Sequence, residues 1–318
     1  MRKKAMICLV AVAILSANGE GWCSDQEWTD LGAKVQSNIS AGNLPEAESD
    51  AKTSLQYAEK NFGPSDSKTV KSTMVLAGIY RDLGKFDEAD ALLKKTLSLI
   101  EKTFGPDDPA VIHPLNGLGM LLQVQNKAAE AEAIFRRALA VDEKKPSQDR
   151  LPVTEVRENM ALLRANEGDF AEAAKLMEQA IAEREKGHSA KSEEYATSLN
   201  NLASIYAQQE RYDEAVSLQE RALGVLKDAA GPDTLTAALF TQNLAGFLLL
   251  SGKKAQAEAL LGTVPDILEK NLGPDHPALV DVLMEIAELN EQMGNRQKAE
   301  ELQKKATLIQ SKALKQKP

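Results

Sequence analysis

Seven alanines recur along this chain at one fixed interval of 42 residues: Ala47, Ala89, Ala131, Ala173, Ala215, Ala257 and Ala299. No insertion or deletion breaks the register across the 252 residues they span. Glutamate precedes the first five, while Gln256 and Lys298 precede the other two. A strict period of this length excludes one central core and implies modules that each pack on their neighbours.

One period, residues 67–108, shows what each module encodes. Its first half places Thr73, Leu76, Ala77 and Tyr80 three and four apart, on one face of a helix. Leu83-Gly84-Lys85 then interrupts the pattern as a helix C-terminal glycine does. The second half, Phe86, Ala89, Leu92, Leu93, Thr96, Leu97 and Ile100, resumes helical spacing. Phe104-Gly105-Pro106 closes it, Asp108 is placed to cap the next helix, and Pro109 suits that helix's first turn. Each module therefore reads as helix–turn–helix, with helices of roughly 15 residues.

The small residue at position 89 has a mechanical reason. Two antiparallel helices in close contact need a small side chain where they cross. Position 77 behaves alike, with Gly119, Ala161, Ala203, Ala245 and Ala287 as its equivalents. The bulky partner Phe86 recurs as Phe170 and Tyr212 and weakens to Ala128, Lys254 and Arg296. The loop glycine–proline pairs at 63–64, 105–106, 231–232 and 273–274 hold phase, and Ser147-Gln148 and Ser189-Ala190 replace them at equal length.

The pattern Leu76-Ala77…Tyr80…Gly84…Phe86…Ala89, with Ala138 and Ala222 at a third small position, resembles the tetratricopeptide repeat. The 42-residue unit, Gly-Pro-Asp-His-Pro at 273–277 and Leu199-Asn200-Asn201-Leu202-Ala203 are similar to the kinesin-light-chain subtype. The resemblance covers residues 26–310. It implies an all-α fold, a right-handed superhelical solenoid of seven helix–turn–helix repeats. It leaves function open, because a fold does not fix one.

The first residues read as an export signal. Arg2, Lys3 and Lys4 precede the apolar run Ala5–Leu15, and Ala17-x-Gly19 offers a cleavage site. Residues 1–19 are assigned to this signal, with cleavage between 17 and 24. The run is short for a bilayer, although an uncleaved anchor is the alternative. Cys23 lacks lipoprotein flanks, since Glu20 and Trp22 stand where an aliphatic and a small residue belong. Cleavage would leave 35 basic side chains against 47 acidic ones, because the 38 Lys and Arg include the three in the signal. That balance disfavours nucleic acid as a partner. The expectation is an exported chain, periplasmic or secreted, without a stable membrane span.

The ends are expected to cap the array with polar residues. Lys34 and Asn38 replace Leu76 and Tyr80 at one end, and Asn290 and Arg296 replace Tyr80 and Phe86 at the other. The last stretch, 311–318, reads as a basic tail. Lys304, Lys305, Lys312, Lys315 and Lys317 complement a helix C-terminus.

No catalytic constellation emerges. His113, His188 and His276 stand in different modules and none pairs with another at metal-ligand spacing. Gly78…Gly84-Lys85 and Gly246…Gly252-Lys253 mimic a phosphate loop, but the glycine spacing is wrong and neither Ser nor Thr follows the lysine. Helix-packing and turn glycines account for both. Glu155 and Glu158 lie one turn apart, among many surface glutamates. No cofactor, metal or catalytic residue is assigned.

A curved stack of helix pairs presents a concave face lined by first helices. The resemblance implies that extended peptides lie there, held by asparagine amides that both donate to and accept from a backbone. The inward phase, set by Met74, Val75, Gly78, Arg81 and Asp82, carries forward to Asn116, Met120 and Gln123, then Glu158, Asn159, Leu162 and Asn166. Thr197, Asn200, Asn201, Ser204 and Gln208 follow, then Gln242, Asn243, Gly246 and Leu249. The candidate peptide-binding set is Asn116, Asn159, Thr197, Asn200, Asn201, Ser204, Gln208, Gln242 and Asn243. Amides at such positions also serve to bond adjacent helices. The function expected is a non-catalytic scaffold or adaptor for a protein or peptide partner. A self-assembling envelope protein and an enzyme with a site hidden in the repeats stay open as alternatives.

Overall fold

The computed structural model describes residues 26–146, 149–187 and 190–315. The signal assigned to residues 1–19, Cys23, Ser147, Gln148, His188 and Ser189 lie outside them. All regular structure among the described residues is helical. The helices form pairs: α1 (Gln26–Ser40) with α2 (Leu44–Phe62), and α3 (Ser67–Asp82) with α4 (Phe86–Phe104). A single 3-10 turn, Pro109–Val111, leads into α5 (Ile112–Val124), which α6 (Ala128–Lys144) follows. Next come α7 (Leu151–Asn166) and α8 (Phe170–Lys186), then α9 (Glu193–Gln208) and α10 (Tyr212–Ala230). The last are α11 (Leu235–Leu250) with α12 (Lys254–Leu261) and α13 (Val264–Leu272), then α14 (Ala278–Gln292) with α15 (Arg296–Lys315). The fold class is the expected all-α repeat, with a first and a second helical segment for each of the seven modules read.

The chain divides at Gly168 into two compact units, one holding α1–α7 and the other α8–α15. In the first, the core is handed from pair to pair. Val35 of α1, Ala47, Ala51 and Leu55 of α2, and Leu76 and Ile79 of α3 form one buried cluster. Ala77 of α3, Ala89 and Leu93 of α4, and Leu118 and Leu121 of α5 form the next. Tyr80 and Leu92 touch both clusters, so each pair finishes the core of its neighbour. In the second unit Leu199, Ile205 and Phe247 are among the fully buried side chains of the first helices. All seven periodic alanines are 0% exposed. At position 119 even a methyl group is too large: a Cβ there would lie 2.2 Å from Cε1 of buried Phe135.

First helices start from one repeating position. The side chains of Asp66, Asp108, Ser192 and Thr234 accept from backbone N–H groups one turn on, as N-caps do. His276, in the same phase, accepts from the Ala278 N–H through Nδ1 at 3.2 Å. The capping Asp108 therefore opens the 3-10 turn ahead of α5.

The turns inside the pairs share one geometry. Gly42, Gly84, Gly168, Gly252 and Gly294 have φ between 73° and 86°, and after Gly42, Gly84, Gly252 and Gly294 the N–H of the following residue reaches back, as in Lys85 N–H to Tyr80 C=O at 2.8 Å. That is a Schellman closure with a left-handed C′ residue. Asn126 (φ 59°) and Glu210 (φ 61°) fill the same slot without being glycine. Asparagine tolerates this conformation, whereas glutamate is strained by its Cβ.

Three features depart from the sequence reading. The second helix of the sixth pair is broken, because Pro265 near the start of α13 has no N–H to donate and would clash with the preceding turn. Helix α15 continues to Lys315, so part of the stretch set apart as a tail completes the last helix. Asn290, read as an exposed capping residue, is 0% exposed. Its Nδ2 donates to Ile286 C=O at 2.9 Å, and its Oδ1 accepts from Asn295 at 3.2 Å. Those bonds make an amide tolerable where Tyr80 stands in an inner pair. At the other end Lys34 is exposed and pairs with Asp50 at 2.7 Å, as a capping face requires.

Three stability outcomes follow, each readable from denaturant unfolding. Glu210→Gly relieves the left-handed strain and should stabilise the fold by about 1 kcal/mol. Gly119→Ala should destabilise it by about 1–3 kcal/mol through overpacking against Phe135. Glu48 bridges Lys52 at 2.7 Å and Lys85 at 2.6 Å, and these bonds hold its carboxyl below the usual range. Its contribution is full above the unfolded carboxylate pKa of about 4.3 and is lost as pH falls through the lower folded value. Glu48→Gln should flatten the acid limb of the stability profile, and an unchanged limb would refute the assignment.

Candidate functional site

In each unit the inward phase of the first helices has one recurring contact. Within the first unit, Met74 of α3 meets Gly117 of α5: a Cβ on that glycine would sit 2.7 Å from the Met74 Cε. Between α5 and α7 the same contact is made by amides. Asn159 Nδ2 donates to Asn116 Oδ1 at 2.9 Å, and Asn116 Nδ2 faces Glu155 at 3.4 Å. Gln123 adds a bond to the Asn159 C=O at 3.1 Å. Within the second unit, α9 and α11 repeat the pairing, with Asn243 Nδ2 donating to Asn200 Oδ1 at 2.8 Å. The same atom accepts Gln219 Nε2 from α10 at 2.9 Å.

This bonding sorts the candidates. Asn116, Asn200, Asn201 and Ser204 are buried, at 5%, 3%, 5% and 1% exposure. Ser204 donates to the Asn200 C=O at 3.0 Å, and Asn200 Nδ2 faces Asn201 Oδ1 at 3.5 Å. Asn116 and Asn200 thus bond neighbouring helices, and Asn201 and Ser204 bond within α9. All four are buried rather than open on the face, which corrects the expectation that they line a groove. Thr197, Asn159, Gln242 and Asn243 are half-buried, and Gln208 is exposed. Thr197 donates to its own helix at Glu193 C=O, 2.9 Å away. The accessible inward face of the second unit therefore consists of Gln208 on α9 and Gln242, Asn243, Gly246, Leu249 and Leu250 on α11. Leu250 is 41% exposed. On α14 the same phases carry Met284, 44% exposed, beside exposed Glu285 and Glu288. Amides, apolar side chains and carboxylates therefore share this face.

The glycines of the two phosphate-loop mimics separate into different roles. Gly84 and Gly252 turn the chain with positive φ, and Gly78 is buried in α3. Gly246 is different: a Cβ built on it meets nothing within 4 Å, so packing does not require a glycine there.

The ionisable groups are structural in arrangement. Tyr195 donates to Glu185 at 2.7 Å and meets Arg221; burial, then the bond to Glu185, pushes its phenol up to about 12. Burial also lowers the imidazole of half-buried His113, which favours its neutral form. His276 is a helix cap, and His188 lies outside the described residues. Among the described residues no group of three potential ligands is placed to hold a metal ion. No described helix is long and apolar enough to cross a membrane.

A ladder of ion pairs was missed in the sequence. Glu101–Arg137, Glu185–Arg221 and Glu269–Lys305 link successive second helices, while Asp107–Lys144, Asp233–Lys270 and Asp275–Lys312 join the loop after one second helix to the next second helix. The signal was an acid followed 36 or 37 residues on by a base. Lys305 and Lys312, read as complements to a helix terminus, each pair with the preceding repeat.

Residues 69–144, 153–228 and 233–311 match the family model of the tetratricopeptide repeat. No curated protein sequence matches the chain. Similar solved structures include the kinesin-light-chain TPR-like repeats of Podosopora anserina, 22% identical, covering 65% of this chain and 96% of that one, with a TM-score of 0.55. BtubC (BKLC) from P. vanneervenii is 19% identical over 78% of this chain and 94% of its own, with a TM-score of 0.60. The Rap conjugation gene regulator of plasmid pLS20, solved with the Phr* peptide, is 14% identical over 94% and 80%, with a TM-score of 0.57. At these identities they show a shared fold, one typical of protein–protein interaction scaffolds. The family match covers most of the chain, which belongs to the tetratricopeptide repeat family.

Proposed function

We propose that this protein is a non-catalytic scaffold that binds an extended segment of a partner protein along the inward face of α9, α11 and α14. One observation carries this reading. On α11, Gln242, Asn243, Gly246, Leu249 and Leu250 form a continuous accessible strip of amide, bare backbone and apolar side chain. Such a strip offers hydrogen bonds that do not read sequence and apolar contacts that do. The exposed Glu285 and Glu288 of α14 favour a segment carrying lysine or arginine. The peptide complex of the plasmid pLS20 regulator supports the reading by analogy of fold.

We also propose delivery across a membrane by the N-terminal signal, supported by Arg2-Lys3-Lys4 and the apolar run Ala5–Leu15. Mass spectrometry of the chain recovered from its native host should find an N-terminus between residues 17 and 24. A chain that retains residues 1–19 in the soluble fraction would overturn this.

Linear peptides selected from a random library on the wild-type chain test the groove. Leu250→Glu should weaken the selected peptides about tenfold or more, the loss of roughly one buried apolar anchor. Leu308→Glu, on an exposed α15 position outside the face, should bind as wild type. Equal binding by Leu250→Glu, or a library that yields no binder, would sink the reading.

A further inference from the structure

Gln219 stands where a core residue belongs. The equivalent positions of the neighbouring repeats hold Leu93, Phe135, Met177 and Leu261, and Gln219 itself is 0% exposed. Its Nε2 donates to Phe240 C=O at 2.9 Å and to Asn200 Oδ1 at 2.9 Å, while its Oε1 is buried without a donor. An unmade bond of that kind is unfavourable, and an apolar side chain of similar volume would avoid it. A polar residue at such a site is explained by what it orients.

The orientation is forced one bond at a time. The Phe240 carbonyl can only accept, so the Gln219 amide must turn its nitrogen toward it. That nitrogen also faces Asn200, which must therefore present oxygen. The Asn200 oxygen accepts the Asn243 nitrogen at 2.8 Å, so Asn243 must hold its own oxygen away from the core. Asn243 is half-buried, at the accessible end of this chain of amides. One turn further along α11 lies Gly246, with no atom within 4 Å of the position a Cβ would take. A glycine inside a helix is unfavourable relative to alanine, and nothing packed against this one requires it. A glycine leaves room there for close approach of another backbone.

We infer that Gln219 and Asn200 are positioning residues that fix Asn243 with its carbonyl oxygen outward, as the acceptor for a backbone N–H of a peptide crossing Gly246. This rests on the reading of the α9–α11–α14 face as a peptide groove. It adds a polarity: the groove offers an acceptor at Asn243, one turn before the gap at Gly246.

The test uses the full-length chain and the library-selected peptides, labelled for anisotropy. Gln219→Met restores the apolar core residue of the neighbouring repeats. It should unfold at or above the wild-type midpoint yet bind severalfold more weakly, a split that a merely structural role would not produce. Asn243→Ala should lose about tenfold, as should Gly246→Leu. Gly224→Leu, at an exposed α10 glycine with equally open surroundings, should bind as wild type. Wild-type affinity in both Gln219→Met and Asn243→Ala, with binding still lost in Leu250→Glu, overturns the relay and leaves the groove standing. Wild-type affinity in Leu250→Glu as well overturns both. If Gln219→Met does not fold, Asn243→Ala decides alone.

Discussion

The close crossing of paired helices is the contact on which everything else depends. A side chain no larger than a methyl group lies there, fully buried in every repeat, and its neighbour at position 77 is equally small. Two helices that approach this closely bring larger residues, such as Leu93 or Phe135, into the layer shared with the next pair. The apolar clusters around Leu76 and Leu118 show the result: no pair completes its own core. First helices are then held in register, and the positions beside them become a surface with a fixed pattern of groups.

Polar side chains inside this structure follow two rules. Where a contact between first helices recurs, the chain fills it either with methionine against glycine, as at Met74 and Gly117, or with two asparagines. Both solutions close the same gap, but only the second leaves an oriented amide at its edge. Along the second helices and the loops that follow them, acid and base meet at the surface and link several repeats to the one before. Exposed pairs of this kind contribute little individually. Their value lies in register, since a slipped pair would face the wrong charge.

Much of the fold was legible because it is written several times over. The alanine interval, the turn glycines and the capping position each appear in most repeats, so a single departure such as Glu210 does not hide the pattern. The break before α13 was hidden by the same regularity: Pro265 keeps the length of the repeat while removing a hydrogen bond. The site was legible only in outline. Periodicity placed Asn200 and Asn243 near the same face, but it could not say which would be buried, because that depends on the partner at position 219 in a different helix. The sequence did show Gln219 between Met177 and Leu261 at the same position of the adjacent repeats, and that is where the signal lay. Asn290 was misread for a related reason. Its burial is tolerated through Asn295 and Ile286, bonds that no spacing rule announces.

The ladder of ion pairs joins a repeat to its predecessor, through residues that return at the same places in several of the copies. A duplicated module that carries both partners, such as Lys102 with Asp107 or Lys270 with Asp275, would thus arrive with its charges already complementary at the new seam. Arrays of this kind lengthen by tandem copying of genes, with little retuning of the joints, and their reach along a partner can evolve one module at a time.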